Sequence, residues 1–140
     1  MERNHLCEPR IYSGPSQNNW LARHRQLLTE ISDKRPDIVF VGDSLTDQWR
    51  TTGRVSWVDH IEKYNAFDIG IGGDTSSGLL YRLESPELNG ANPRIVVLCI
   101  GTNSICHETP NDIVNGVLTV ANAVVCIWPS AHVLFQDLPI

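Results

Sequence analysis

Three short stretches hold residue types that can do chemistry together. Gly42-Asp43-Ser44-Leu45 contributes a serine, Gly70-Ile71-Gly72-Gly73-Asp74-Thr75 a glycine-rich turn, and Gly101-Thr102-Asn103 a carboxamide. A serine hydroxyl is a weak nucleophile until a base takes its proton and hydrogen-bond donors stabilise the oxyanion formed on attack. Ser44 at a strand-to-helix turn would offer its own amide to such an oxyanion. Gly73 has no Cβ, so its backbone N–H can approach the same point, and Asn103 can add a side-chain N–H. One nucleophile with three donors is suited to acyl transfer. Each stretch alone is weak: Gly-Asp-Ser is ordinary turn composition, and a loop Asn often bonds its own backbone. Gly70-x-Gly72-Gly73 could instead cradle a phosphate at a helix N-terminus, but it follows the second strand rather than the first and lacks the third glycine of that spacing.

These residues need a frame, and the hydrophobic pattern supplies one. Trp20, Leu21, His24, Leu27, Leu28 and Ile31 recur at three- and four-residue spacing, a helical stripe that Pro36 ends. Asp37 to Gly42 is a short β-branched run suited to a strand buried on both faces. Thr46 to Arg50 can open a helix, and Val55, Trp57, Val58 and Ile61 suggest another. A second strand over Ala66 to Ile69 runs into the glycine turn, and Asp74 or Thr75 can cap the helix carrying Leu79, Leu80 and Leu83. Arg94 to Ile100 is the clearest buried strand. Pro110 suits the first turn of a helix in which Ile113, Val117, Ala121 and Val124 share a face. After the Trp128-Pro129-Ser130 turn, Ala131 to Gln136 reads as a fourth strand. Alternating strands and helices build an α/β fold with a parallel sheet and helices on both faces. In such sheets ligands bind beyond the carboxyl ends of the strands, and all three stretches fall there.

The other polar candidates are weaker. His107, a few residues past Asn103, is the only histidine placed near the site, and a solvated loop histidine is its simpler reading. His132 starts a strand at the opposite end, and His5, His24 and His60 read as surface or helix residues. Asp137 ends the fourth strand, where such a residue commonly caps or turns. Asp43 is expected to hold the nucleophile loop by hydrogen bonds, and Trp49 and Trp57 to pack in the core. With 140 residues, 41% of them hydrophobic, one domain is expected: residues 1–19 as an N-terminal extension and 20–140 as the folded unit. The net charge of −5 argues against nucleic acid and suits a small neutral or polar substrate. The N-terminus has no apolar run for a signal peptide or membrane span, so a cytoplasmic protein is expected. Cys7, Cys99, Cys106 and Cys126 lack CxxC spacing and read as reduced thiols, with no disulfide frame or zinc site.

In order and spacing, Ile38 to Leu45, Gly70 to Thr75 and Gly101 to Asn103 resemble the first three blocks of the SGNH (GDSL-type) hydrolases. Within that family the chain is similar to proteins grouped around the catalytic subunits of intracellular platelet-activating factor acetylhydrolase, which share the Gly-Ile-Gly-Gly-Asp stretch and the Leu-Tyr-Arg-Leu after it. The resemblance runs from about Trp20 to the end. It implies a flavodoxin-like three-layer α/β/α sandwich and a serine esterase that takes a small ester substrate without metal or organic cofactor. In it Ser44 is the nucleophile, and the Ser44 amide, Gly73 and Asn103 form the oxyanion hole. It also allows a homodimer. Two departures stand out. Asp68 occupies a position where relatives usually have Asn, and the family's last block, Asp-x-x-His, has no counterpart before Asp137-Leu138-Pro139-Ile140. The expectation is therefore a C-terminally truncated domain lacking its last strand and helix, with an exposed sheet edge and apolar helix faces. It would be weak or inactive alone, or else a non-catalytic homologue acting as a binding or association module. A flavodoxin-like nucleotide binder is the third reading, and it predicts stabilisation by flavin or nucleotide.

Overall fold

The computed structural model describes residues 15–138. Cys7, His5 and most of the expected 1–19 extension lie outside the described residues. Helix α1 spans Pro15–Lys34, beginning five residues before the first apolar residue of its stripe. Proline is at home in a first helical turn because its missing N–H is not needed there. The polar run after Pro15 carries no apolar period, so the pattern could not reveal that turn. Arg35 takes φ 47° after the last turn and its N–H bonds the Ile31 carbonyl at 3.0 Å, closing the helix just before Pro36.

Four strands follow: β1 (Ile38–Gly42), β2 (Ala66–Asp68), β3 (Ile95–Cys99) and β4 (His132–Phe135). All pair in parallel, in the order β2-β1-β3-β4. Between them lie α2 (Ser44–Asp47), α3 (Arg54–His60), α4 (Ser76–Leu83) and α5 (Pro110–Ile127), with short 3₁₀ turns at Gln48–Arg50, Pro86–Gly90 and Thr102–Ser104. β1 and β3 lie at the centre, in register from Ile38 opposite Ile95 to Gly42 opposite Cys99. Their alternation sends Val39, Val41, Val96 and Leu98 to one face, all buried. There they join Leu27 and Ile31 of α1, Leu79 and Leu83 of α4, and Val120 and Val124 of α5 in one core.

The opposite face is covered over β1. Phe40 meets Trp57 edge-on with ring centroids 5.1 Å apart, and Trp49 lies 6.5 Å away on the same ring. Trp57 is buried as expected, whereas Val55 and Val58 on the same helix face solvent. Toward β4 cover thins on both faces: Leu134 on this face and Phe135 on the α5 face are more than half exposed, as are Val114 and Leu118 of α5. Cys99 is a buried free thiol, while Cys126 stands exposed on α5 rather than in the core. Among the described residues α5 alone is long and apolar enough to cross a membrane, yet Val120 and Val124 are fully buried in the common core.

Candidate active site

β1 delivers Ser44. The strand ends at Gly42, and an added Cβ there would collide with the Cys99 carbonyl and the Thr46 side chain, so the backbone can turn this tightly only at glycine. Asp43 caps α2: its Oδ1 accepts the Leu45 N–H at 3.0 Å, and its carbonyl accepts the Asp47 N–H at 2.8 Å. This is the loop-holding role expected of it. Ser44, first residue of the turn, is partly buried. Asp43 itself is fully buried; burial pushes its carboxyl upward, the Leu45 N–H opposes that, and the Asp74 charge adds to it.

Beyond β2 the chain keeps climbing alongside β1. Ile69 N–H bonds Phe40 O at 2.9 Å and Ile71 N–H bonds Gly42 O at 3.2 Å, which carries the glycine loop level with Ser44. The Asp74 N–H closes back on the Ile71 carbonyl at 3.2 Å, and Gly73, third of the four residues, has φ 79°. That is the type II turn signature, with positive φ at the third position. Gly73's own N–H takes no part in the closing bond. A Cβ on Gly72 would stand 3.9 Å from Ser44 Cβ, so the turn lies directly beside Ser44.

Two arginines bind this loop from opposite sides. Inside, Arg82 of α4 is 1% exposed and pairs with fully buried Asp74, Nε to Oδ2 at 2.8 Å and Nη2 to Oδ2 at 2.7 Å. Its Nη1 reaches Ile69 O at 2.7 Å and its Nη2 reaches Gly42 O at 3.3 Å. A buried charge persists only when paired and hydrogen-bonded, and this one joins two of the three motif stretches, through the Asp74 carboxylate and the Gly42 carbonyl. Asn103, on the 3₁₀ turn after β3, brings in the third: its Nδ2 donates to Asp74 O at 2.8 Å, which leaves that amide's second hydrogen unspent among the described residues. The helix cap falls to Thr75, whose hydroxyl accepts the Gly78 N–H at 3.2 Å.

Outside, Arg50 bonds the carbonyls of Asp68 and Gly70, and its Nη2 pairs with Asp47 Oδ1 at 2.7 Å. Asp47 Oδ2 accepts the Gly72 N–H at 2.9 Å. Asp68 Oδ1 accepts the Gly70 N–H at 2.7 Å and lies 3.3 Å from Arg50, but its Oδ2 is buried without a partner among the described residues. Burial raises the Asp68 carboxyl to about 7, against the pull of Arg50.

His24 and His132 are elsewhere. His24 lies on helix α1, one of the two placements expected of it, and is buried: its Nε2 lies 3.0 Å from Ser85 Oγ, and burial with the nearby Arg82 charge lowers its pKa to about 4. His107 is exposed on the loop past Asn103. His132 lines a cavity of about 470 Å³ with Asp37, Lys63 and Arg94, at the strands' amino ends and away from Ser44. Arg82, Asp47 and Arg50 are absent from the sequence-based candidates. Arg82 left one signal: a charge within the apolar stripe Leu79-Leu80-Leu83 has to be buried with a partner.

A flavodoxin-like parallel sheet with a serine turn, a glycine turn and a carboxamide at adjoining strand ends defines a class of α/β acylhydrolases. The chain belongs to the GDSL-like lipase/acylhydrolase family, whose profile matches residues 40–139. It is 33% identical over 119 residues to platelet-activating factor acetylhydrolase IB subunit alpha1 of Rattus norvegicus, covering 85% of this chain and 50% of that protein. With the alpha2 subunit of Homo sapiens it shares 30% over 122 residues, 86% of this chain and 52% of that protein. The chain thus spans about half the length of the curated relatives it matches. A GDSL-like lipase structure from Bacteroides thetaiotaomicron superposes with a TM-score of 0.63 at 20% identity, covering 81% of this chain and 57% of that one, a likeness of fold.

Proposed function

We propose that this chain carries the nucleophile and oxyanion donors of a serine ester hydrolase. Ser44 Oγ attacks the acyl carbon of a small ester. The oxyanion is held by the Ser44 and Gly73 amides and by the free hydrogen of Asn103 Nδ2; the alcohol leaves and water releases the acyl group. The supporting observation is the Asn103 bond to Asp74 O at 2.8 Å, which aims a carboxamide at the glycine turn beside Ser44. A general base is also required, and His24 and His132 stand away from Ser44. The Asp-x-x-His pair that family resemblance implies is not in the 140 residues. The proposal therefore assigns to this chain the nucleophile and donors, and the base to a histidine supplied with them.

The test is labelling of the full chain by a fluorophosphonate probe, which needs an activated serine. With the base assigned to a histidine not among these residues, weak labelling that disappears in Ser44→Ala is the expected result; equal labelling of both proteins, or none, would overturn Ser44 as an activated nucleophile. The exposed Leu134 and Phe135 at the β4 edge favour a second reading, an association module, possible as a homodimer. That reading gains if labelling is absent while the chain self-associates.

A further inference from the structure

We infer that Asp47, held by Arg50, is a positioning residue that sets the Gly73 oxyanion donor relative to Ser44. The inference rests on the esterase reading above. Asp47 ends the same single turn, α2, that Ser44 begins, so the two side chains are carried by one rigid four-residue unit. Its carboxylate divides its oxygens between two tasks. Oδ1 takes Arg50 Nη2 at 2.7 Å, and Oδ2 takes the Gly72 N–H at 2.9 Å. Arg50 in turn grips the carbonyls of Asp68 and Gly70, the two residues that lead into the glycine turn.

The stereochemistry of that turn gives the bond its consequence. In a type II turn the peptide between the second and third residues can flip, exchanging the sides to which its carbonyl and N–H point, with little displacement of the ends. Here that peptide joins Gly72 to Gly73, two residues with no Cβ to bias either orientation. The Gly72 N–H lies one peptide before it, and Asp47 anchors that N–H to the helix bearing the nucleophile. An added Cβ at Gly70 would meet Asp47 N and Thr46 Cβ at 2.7 Å, so the loop is already pressed against α2 and a short bridge suffices. Arg82 and Asp74 fix the far end of the turn from inside the core. Asp47 fixes the near end from outside, where its side chain keeps 33% of its exposure. That exposure separates a positioning role from a merely structural one, because the fold does not depend on it as it depends on Arg82.

The experiment compares wild type, Asp47→Ala and Asp47→Asn by fluorophosphonate labelling over a range of probe concentrations. Amide exchange and the ¹⁵N–¹H resonances of glycine-labelled protein are followed in parallel. Asp47→Ala is expected to slow the maximal labelling rate about 10- to 100-fold with little change in half-saturating probe concentration. Exchange at the Gly72 amide should rise about fivefold, the worth of one hydrogen bond, and the Gly73 resonance should shift. Asp47→Asn, which retains one acceptor, should fall between. A melting temperature within about 5 °C of wild type shows that the fold survives. If wild type labels and Asp47→Ala labels at the same maximal rate, the inference is wrong and the esterase reading stands. If wild type does not label, the esterase reading fails, and unchanged Gly72 exchange and Gly73 resonance in Asp47→Ala would overturn the positioning role on their own evidence.

Discussion

At the scale of single residues, the site is a problem of neutralising carboxylates that the fold has buried. Asp74 solves it with a guanidinium. Asp68 does so only in part, since Oδ2 has no partner among the described residues and its carboxyl is raised to about 7. The sign follows from which state holds the proton. Between pH 4 and 7 the folded protein keeps a proton on Asp68 that the unfolded chain has lost, so stability falls as pH rises through that window. The stabilisation is fully present below about pH 4 and gone above about pH 7. Asp68→Asn, neutral at every pH, should remove this slope. Urea titrations at pH 4.5 and 7.5 are expected to show the variant gaining about 2–4 kcal/mol on wild type between the two; a constant difference would count against a raised Asp68. That Ser44, the glycine turn and Asn103 come together was legible because a serine, a glycine turn and a carboxamide have distinctive types and follow buried strands. Arg82, Asp47 and Arg50 were not: a charged residue looks the same in sequence whether it faces water or a buried carbonyl.

At the scale of elements, four strands and the main helices could be read from periodicity, with boundaries moved by a residue or two. The exceptions have local causes. The first turn of α1 is polar and carries no period. The assignment of Asp74 and Thr75 could not be separated in sequence, because both types cap helices. The structure divides them: Thr75 has extended backbone at φ −118° and caps α4, freeing Asp74 for Arg82. Thr75→Ala should cost about 1 kcal/mol in urea denaturation. Its larger effect is expected on the Asp74–Thr75 junction, so exchange of the Gly78 amide should rise in the same variant; unchanged protection would show that the cap is not used.

At the scale of the whole molecule, strand order decides what the rest means. The order β2-β1-β3-β4 follows from right-handed crossovers once each strand is identified, but which strand ends up at the edge, and how bare it is, depends on packing that spacing does not encode. An exposed sheet edge was expected, but not which side chains it bares; the structure leaves Leu134 and Phe135 53% and 57% exposed. Replacing both with Lys is expected to lower concentration-dependent association in sedimentation velocity and dye binding at apolar surface, with the melting temperature little changed. Equal association of variant and wild type would place the contact elsewhere. The same order has a consequence for the chain as it is made. β1 is synthesised early but lies between β2 and β3, and two strands alone are marginal in water. The serine turn therefore waits on a strand more than fifty residues downstream: until Cys99 has left the ribosome and seated beside Gly42, Ser44 has no settled place.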